Sequence, residues 1–304
     1  MNWRYLKRGL VGLCLTAIAS CQSANVPESD LDPLVSSEAS LANGERIFWA
    51  GGCASCHTSQ KIAENTPTDL GGGRVINTPF GEFYPSNISP DFETGIGAWS
   101  LPDFDRALRK GVAPNGRSYY PAFPFTSYAR MSASDVSDLF GFLATLPAHS
   151  NTIQDNKLMF PAKLPLASNI WRQMYLRPAP VRSKANTTLE EIRGQYLVEG
   201  PGHCGSCHTP RNPLGAQRHG LWLAGAYTLD NEGFAPNLTP HADGLKDWST
   251  ADIVDSLRAK PSEDHANFGM NSVRENLSHL PESDLFAIAA YLKSIPPKAS
   301  IASN

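Results

Sequence analysis

The sequence predicts a mainly α-helical protein made of two tandem, equivalent units with long ordered loops. Three observations carry this expectation. The chain repeats itself at an offset of 149 to 151 residues, and each copy closes on a stretch with helical apolar spacing. Glycine and proline, 24 of each in 304 residues, are too many for a bundle of long helices and call for loops.

The repeat can be followed element by element. Gly44-Glu-Arg-Ile-Phe48 matches Gly194-Gln-Tyr-Leu-Val198, and Asn87-Ile-Ser-Pro90 matches Asn237-Leu-Thr-Pro240. Trp99-Ser-Leu-Pro-Asp103 matches Trp248-Ser-Thr-Ala-Asp252, Leu108 matches Leu257, and residues 135–147 run parallel to 284–296. Helices are expected over 102–110 and 250–259. A closing helix in each copy is marked by Val136, Leu139, Phe140, Leu143 and Leu146, and by Leu285, Ile288, Leu292 and Ile295. Asp135 and Asp284, after Ser134 and Ser283, suit helix starts, and Pro147 and Pro296 suit stops. The units are drawn as 41–149 and 189–297. Residues 150–188 form a Pro-rich, apolar connector expected to pack across both units, and 298–304 form a tail.

Hydrophobic residues at 41% supply enough material for packed cores, and charged residues make up 18%. A net charge of −3 with no Lys/Arg block argues against nucleic acid. The long apolar run lies at the extreme N-terminus, where Arg4, Lys7 and Arg8 precede Gly9 to Ile18, the pattern of an export signal over residues 1–20. The run ends Ile18-Ala19-Ser20-Cys21, which resembles a bacterial lipobox, so Cys21 is expected to be acylated and residues 21–40 to serve as a tether. Removing the signal takes away three basic residues and leaves 23 against 29 acidic ones. Gln22 beside the lipidated cysteine favours the outer membrane, with the chain in the periplasm.

Four cysteines remain once Cys14 leaves with the signal and Cys21 takes lipid. They stand in Cys53-Ala-Ser-Cys56-His57 and Cys204-Gly-Ser-Cys207-His208. Disulfides are the ordinary fate of cysteines in exported proteins, and Cys-x-x-Cys also serves zinc and thioredoxin-like redox pairs. The His that follows each pair points elsewhere. Two thiols one helical turn apart reach the two vinyl groups of a porphyrin, and the next side chain supplies an axial nitrogen to the iron. Two covalent haems c are therefore expected, held by Cys53, Cys56, Cys204 and Cys207, with His57 and His208 as iron ligands.

The chain resembles the diheme cytochromes and haem c subunits of membrane-bound alcohol, sugar and aldehyde dehydrogenases. The matching text is Asn87 to Trp99, Tyr120 to Met131 and Gly202 to Arg211. The resemblance implies two class I cytochrome c domains, an electron carrier rather than an enzyme, and a periplasmic dehydrogenase as donor. The acceptor it implies is a membrane oxidase, a quinone or another cytochrome. The alcohol dehydrogenase members carry three haem motifs, and this chain has two.

The sixth iron ligands are where the copies differ. After export the methionines are Met131, Met159, Met174 and Met270. Met270, between Gly269 and Asn271, is expected in a loop suited to ligate the second haem; a thioether there favours ferrous iron. In many relatives a methionine stands where this chain has Phe123, which cannot bind iron. Met131 is the next candidate, although the repeat aligns it with Leu280 and packing explains it better; His149, Met159 and Met174 stay open. The first haem thus either recruits Met131 or is five-coordinate. An open first haem beside a six-coordinate one keeps a diheme peroxidase as the alternative. Arg74, Arg117 and Arg211 are candidate partners of haem propionates. His203, His219, His241, His265 and His279 are read as surface or supporting groups, Trp99 and Trp248 as core, and Gly71-Gly72-Gly73 as plain loop.

Overall fold

The computed structural model describes residues 37–59, 66–164, 166–181, 188–228, 233–259 and 268–301. The expected export signal over residues 1–20, Cys21 with its expected lipid, the expected tether up to residue 36, and His265 lie outside them. Among the described residues the chain is mainly helical, and no helix is long and apolar enough to cross a membrane.

In chain order the first half holds α1 (Glu38–Ala50), α2 (Cys53–His57), β1 (Ile76–Thr78), β2 (Gly81–Phe83), α3 (Leu101–Lys110), α4 (Phe125–Tyr128) and α5 (Ala133–Leu143). The connector contributes β3 (Lys157–Leu158) and α6 (Ala167–Tyr175). The second half holds α7 (Leu189–Glu199), α8 (Gly205–His208), β4 (Ala226–Tyr227), β5 (Phe234–Ala235), α9 (Thr250–Arg258), α10 (Phe268–Leu277) and α11 (Glu282–Ser294). Strand β2 pairs antiparallel with β1, Asn77 opposite Glu82, and with β3, Gly81 opposite Leu158; β4 pairs with β5.

Local chemistry starts the helices where the repeat places them. Ser100, Thr188 and Ser249 each accept the backbone N–H three residues on, and Asp103, Glu191 and Asp252 return the bond to complete capping boxes. Such caps contribute about 1 kcal/mol apiece. Two closing-helix boundaries differ from expectation. α5 is capped by Ser132 and ends at Leu143, leaving Leu146 and Pro147 in the following turn, and α11 starts at Glu282 behind Pro281.

In each half the leading helix crosses the closing one, α1 on α5 and α7 on α11. Gly44 and Gly194 sit at the crossings. A Cβ there would lie 2.1 Å from the Asp138 carbonyl oxygen and 1.8 Å from that of Ala287. One residue earlier, different chemistry does the same work twice. Asn43 donates to Asp135 and Asp138 at 2.7 and 2.8 Å, and Arg193 grips both carboxylate oxygens of Asp284 at 2.9 and 2.8 Å.

The two halves share one core. Phe48, Leu139 and Leu143 belong to the same buried cluster as Leu197, Trp222, Leu285 and Tyr291. The seam is tied by Tyr196, whose hydroxyl donates to Asp135 and accepts from the Ser132 N–H, and by Trp49 stacked on His279 with centroids 3.7 Å apart. The connector bridges both halves: Trp171 stands edge-on to Phe125 and donates from Nε1 to the Leu214 carbonyl at 2.7 Å. No residue of α6 is fully buried, so the connector lies over the seam rather than inside it.

Candidate haem sites

Helix α1 delivers the chain to Gly51 and Gly52, and Gly52 takes a left-handed conformation (φ +60°) that turns it into α2. On this short helix Cys53 and Cys56 are three positions apart and share a face. Gly205 plays a different part in α8: a Cβ on it would overlap the Trp222 ring at 2.2 Å. All four motif cysteines are free of disulfides. Burial pushes the Cys53 and Cys204 thiols up to about 12, as expected for sulfurs placed in apolar pockets.

The two histidines are presented alike. His57 Nδ1 lies 2.7 Å from the Ser86 carbonyl and His208 Nδ1 2.7 Å from that of Pro236. A carbonyl can only accept, so Nδ1 carries the proton and Nε2 keeps its lone pair for a metal. Burial lowers both imidazole pKa values, partly offset by these bonds, and so favours the neutral, ligating form. This donor set, two thiols and one oriented imidazole per turn, fits a c-type haem. No three or more His, Cys, Asp or Glu side chains converge on a metal site of their own among the described residues.

What holds those carbonyls explains the repeated Asn-x-Ser/Thr-Pro text. Asn87 Oδ1 accepts from the N–H and hydroxyl of Ser89, and its amide donates to the His149 carbonyl at 2.6 Å. Asn237 does the same with Thr239 and the Lys298 carbonyl, at 2.8, 2.8 and 2.7 Å. Both turns are thereby fixed one residue after the carbonyl that orients the histidine. Sequence reasoning also passed over the glycines opposite. Gly72 N–H donates to the His57 carbonyl at 2.8 Å and Gly225 N–H to that of His208 at 2.9 Å. Gly72 and Gly225 have φ of +70° and +83°, and a Cβ on Gly72 would meet the Ser86 carbonyl oxygen at 2.5 Å. The glycine run is loop, as expected, with Gly72 packed closely against the turn that orients the histidine.

Two of the arginines brace the attachment turns themselves. Arg74 Nη1 donates to the Ser55 carbonyl at 2.7 Å and Arg211 Nη2 to the Ser206 carbonyl at 2.8 Å, equivalent positions reached from unrelated points in the chain. Arg117 lies exposed on a turn.

Of the candidate methionines, Met131 is buried in the core and its counterpart Leu280 is buried as well. Met270 is half-buried as the third residue of α10, a helix where a loop was expected. Helical apolar spacing is weak there, which hid α10 from the sequence reading. Met159 and Met174 are 53% and 48% exposed on the connector. His149 lies on the His57 side of the first half, with its ring 3.0 Å from Asp69 and its carbonyl on Asn87. Phe123 stands among Tyr119, Phe125 and Tyr128 and offers no donor. Trp99 is partly buried against the core, whereas Trp248, also expected in the core, is 41% exposed.

The two attachment turns meet across the seam. The Gly51 carbonyl accepts from the Tyr128 hydroxyl at 2.9 Å and lies 3.3 Å from His203 Nε2, and the His203 ring stands edge-on to Tyr128. Cys56, raised by burial and lowered by Arg74, is raised again by Cys207 of the other motif. His203 and His279, read as surface or supporting groups, are seam residues.

Burial holds the His203 pKa below its ordinary value of about 6.5. The unfolded chain then binds more protons below that pH, so the stabilisation is present above it and is lost as pH falls toward the folded value. The unfolding midpoint of the holoprotein should fall on acidification. His203→Gln, which keeps a donor for Gly51, should flatten this acid limb; an unchanged slope would exclude His203 as its source.

Paired attachment turns with oriented, neutral imidazoles, set between crossed helices, define a cytochrome of the c type. No family model matches the chain. It is 41% identical over 295 residues to a diheme cytochrome c-type protein of Cereibacter sphaeroides, covering 96% of this chain and 98% of that one, and it belongs to that family. It is 37% identical over 272 residues to the cytochrome c subunit of alcohol dehydrogenase (quinone) of Gluconobacter oxydans. It is also 36% identical over 276 residues to the gluconate 2-dehydrogenase cytochrome c subunit of Pantoea cypripedii. The chain spans 55% and 60% of those two longer proteins. It carries two c-type haems and is an electron-transfer protein rather than an enzyme.

Proposed function

We propose that the protein is an exported, lipid-anchored relay that takes electrons from a periplasmic dehydrogenase and passes them toward the respiratory chain. The observation that carries this reading is the matched presentation of His57 and His208, each with Nδ1 bonded to a backbone carbonyl at 2.7 Å, on two turns that touch across one seam. When bound, the haems supply reversible one-electron chemistry at potentials tuned by axial ligands and burial. Cys53 with Cys56 and Cys204 with Cys207 hold them covalently, and each half forms a class I cytochrome c domain. Arg74 and Arg211 fix the attachment turns in shape.

Relatives named as subunits of alcohol and gluconate dehydrogenases support a dehydrogenase as donor; a membrane oxidase, a quinone or another cytochrome is the acceptor. Acylated Cys21 keeps the chain at the membrane, with the outer membrane favoured by Gln22, and raises its effective concentration near such partners.

Met270 supplies the sixth ligand of the second haem. Met270→Ala should abolish a methionine-to-iron charge-transfer band and lower one of the two potentials; an unchanged spectrum and potential would refute the assignment. At the first haem, Met131→Ala decides between Met131 as ligand, seen as loss of a second such band, and a five-coordinate iron, seen as no change. Rapid carbon monoxide or cyanide binding at that haem would instead favour the peroxidase reading.

A further inference from the structure

Ser55, in the middle of the first attachment turn, is held from the second half of the chain. Its hydroxyl accepts from the Asn276 amide at 2.7 Å and receives the Ser272 hydroxyl, both on α10. The same amide donates to the Ser272 carbonyl at 2.6 Å, one turn back. Asn276 is only 5% exposed, and a buried amide is tolerated where its hydrogens find acceptors. Both of these acceptors lie at the seam.

Ser272 and Asn276, four residues apart, lie on one face of α10. Met270 precedes Ser272 by two residues and so projects about 160° away from it around the helix. The helix thus shows one face to the first attachment turn and carries Met270 on the other. Arg274 ties the same helix to the Ser256 carbonyl of α9 at 3.0 Å, and α10 packs on α1, α2 and α9.

We propose that Ser272 and Asn276 are positioning residues through which the first attachment turn holds α10, and with it Met270, in register, so that ligand exchange at the second haem is governed from the first half. The proposal rests on Met270 as the axial ligand of that haem. Ser55 is then the point of control, because its hydroxyl is the acceptor both bonds share.

The test uses full-length holoprotein and imidazole as a competing ligand, followed at the charge-transfer band that Met270→Ala removes. Ser55→Ala, a change in the first half alone, removes the acceptor of both bonds and should tighten imidazole binding at the second haem by about fivefold or more, fivefold being the effect of one hydrogen bond lost. Asn276→Ala should do at least as much, and Ser55→Thr, which keeps the hydroxyl, should restore the unmodified behaviour. Wild-type imidazole affinity in both alanine variants overturns the proposal, including when their melting temperature falls. If Met270→Ala leaves the band in place, the axial assignment fails and the proposal with it; if Met270→Ala removes the band while Ser55→Ala is silent, only the coupling fails.

Discussion

A chain in which Cys204 and Cys207 are both alanine should carry one covalent haem instead of two. Without the thiols, only the reversible axial bonds of His208 and Met270 hold the second haem, and denaturation in acid acetone extracts it. Covalent haem per polypeptide, measured as the pyridine haemochrome after extraction, should fall by about half. The matching change at Cys53 and Cys56 should remove the other half, and all four substitutions together should give an extractable, colourless chain. Because the halves share a core, loss of either haem should also lower the melting temperature of the whole molecule, since a ligand bound to the folded state stabilises it by mass action. Unchanged covalent haem in the Cys204/Cys207 variant would overturn the attachment reading outright.

The second large effect is structural. Gly194→Ala places a methyl group 1.8 Å from the Ala287 carbonyl oxygen and 2.9 Å from Tyr291 Cβ, neither of which is the free end of a flexible side chain. Helices α7 and α11 must separate, at a cost of about 3 kcal/mol or more by the measure of overpacked cores. For a protein of this size the melting temperature should drop by roughly 6–12 °C. Gly44→Ala, with 2.1 Å to Asp138, should behave alike. Gly220→Ala, with nothing within 4 Å of the added carbon, should stay within about 0.5 kcal/mol of the parent. A Gly194→Ala protein melting with the parent would show that the crossing is looser than described.

Both expectations trace to text visible in the sequence. Gly44 and Gly194 recur at the repeat offset because a helix crossing needs a missing side chain, and the Asn-x-Ser/Thr-Pro pair recurs because a carbonyl must be held against a histidine. The attachment turns were legible because their chemistry demands a fixed spacing. The seam was not. His203, His279 and Asn276 belong to no period, and Ser55 fills a variable position of its motif; each acquires its role from a residue more than seventy positions away, and polar residues of these types are usually solvated. Helix α10 escaped for a related reason: its polar face meets Ser55 rather than water, so its pattern lacks the apolar stripe that marks a core-facing helix. Trp248 shows the opposite error, since a residue repeated for sequence reasons need not be buried twice.

The stacked pair Trp49–His279 has a consequence for how such a chain can change. Duplication begins with interchangeable copies, yet across this boundary indole faces imidazole and hydroxyl faces amide, unlike joined to unlike. Neither segment can any longer stand in for its sibling. An excised half would expose to solvent the apolar surface that the shared core now covers, so neither half is expected to stand alone as a folded protein.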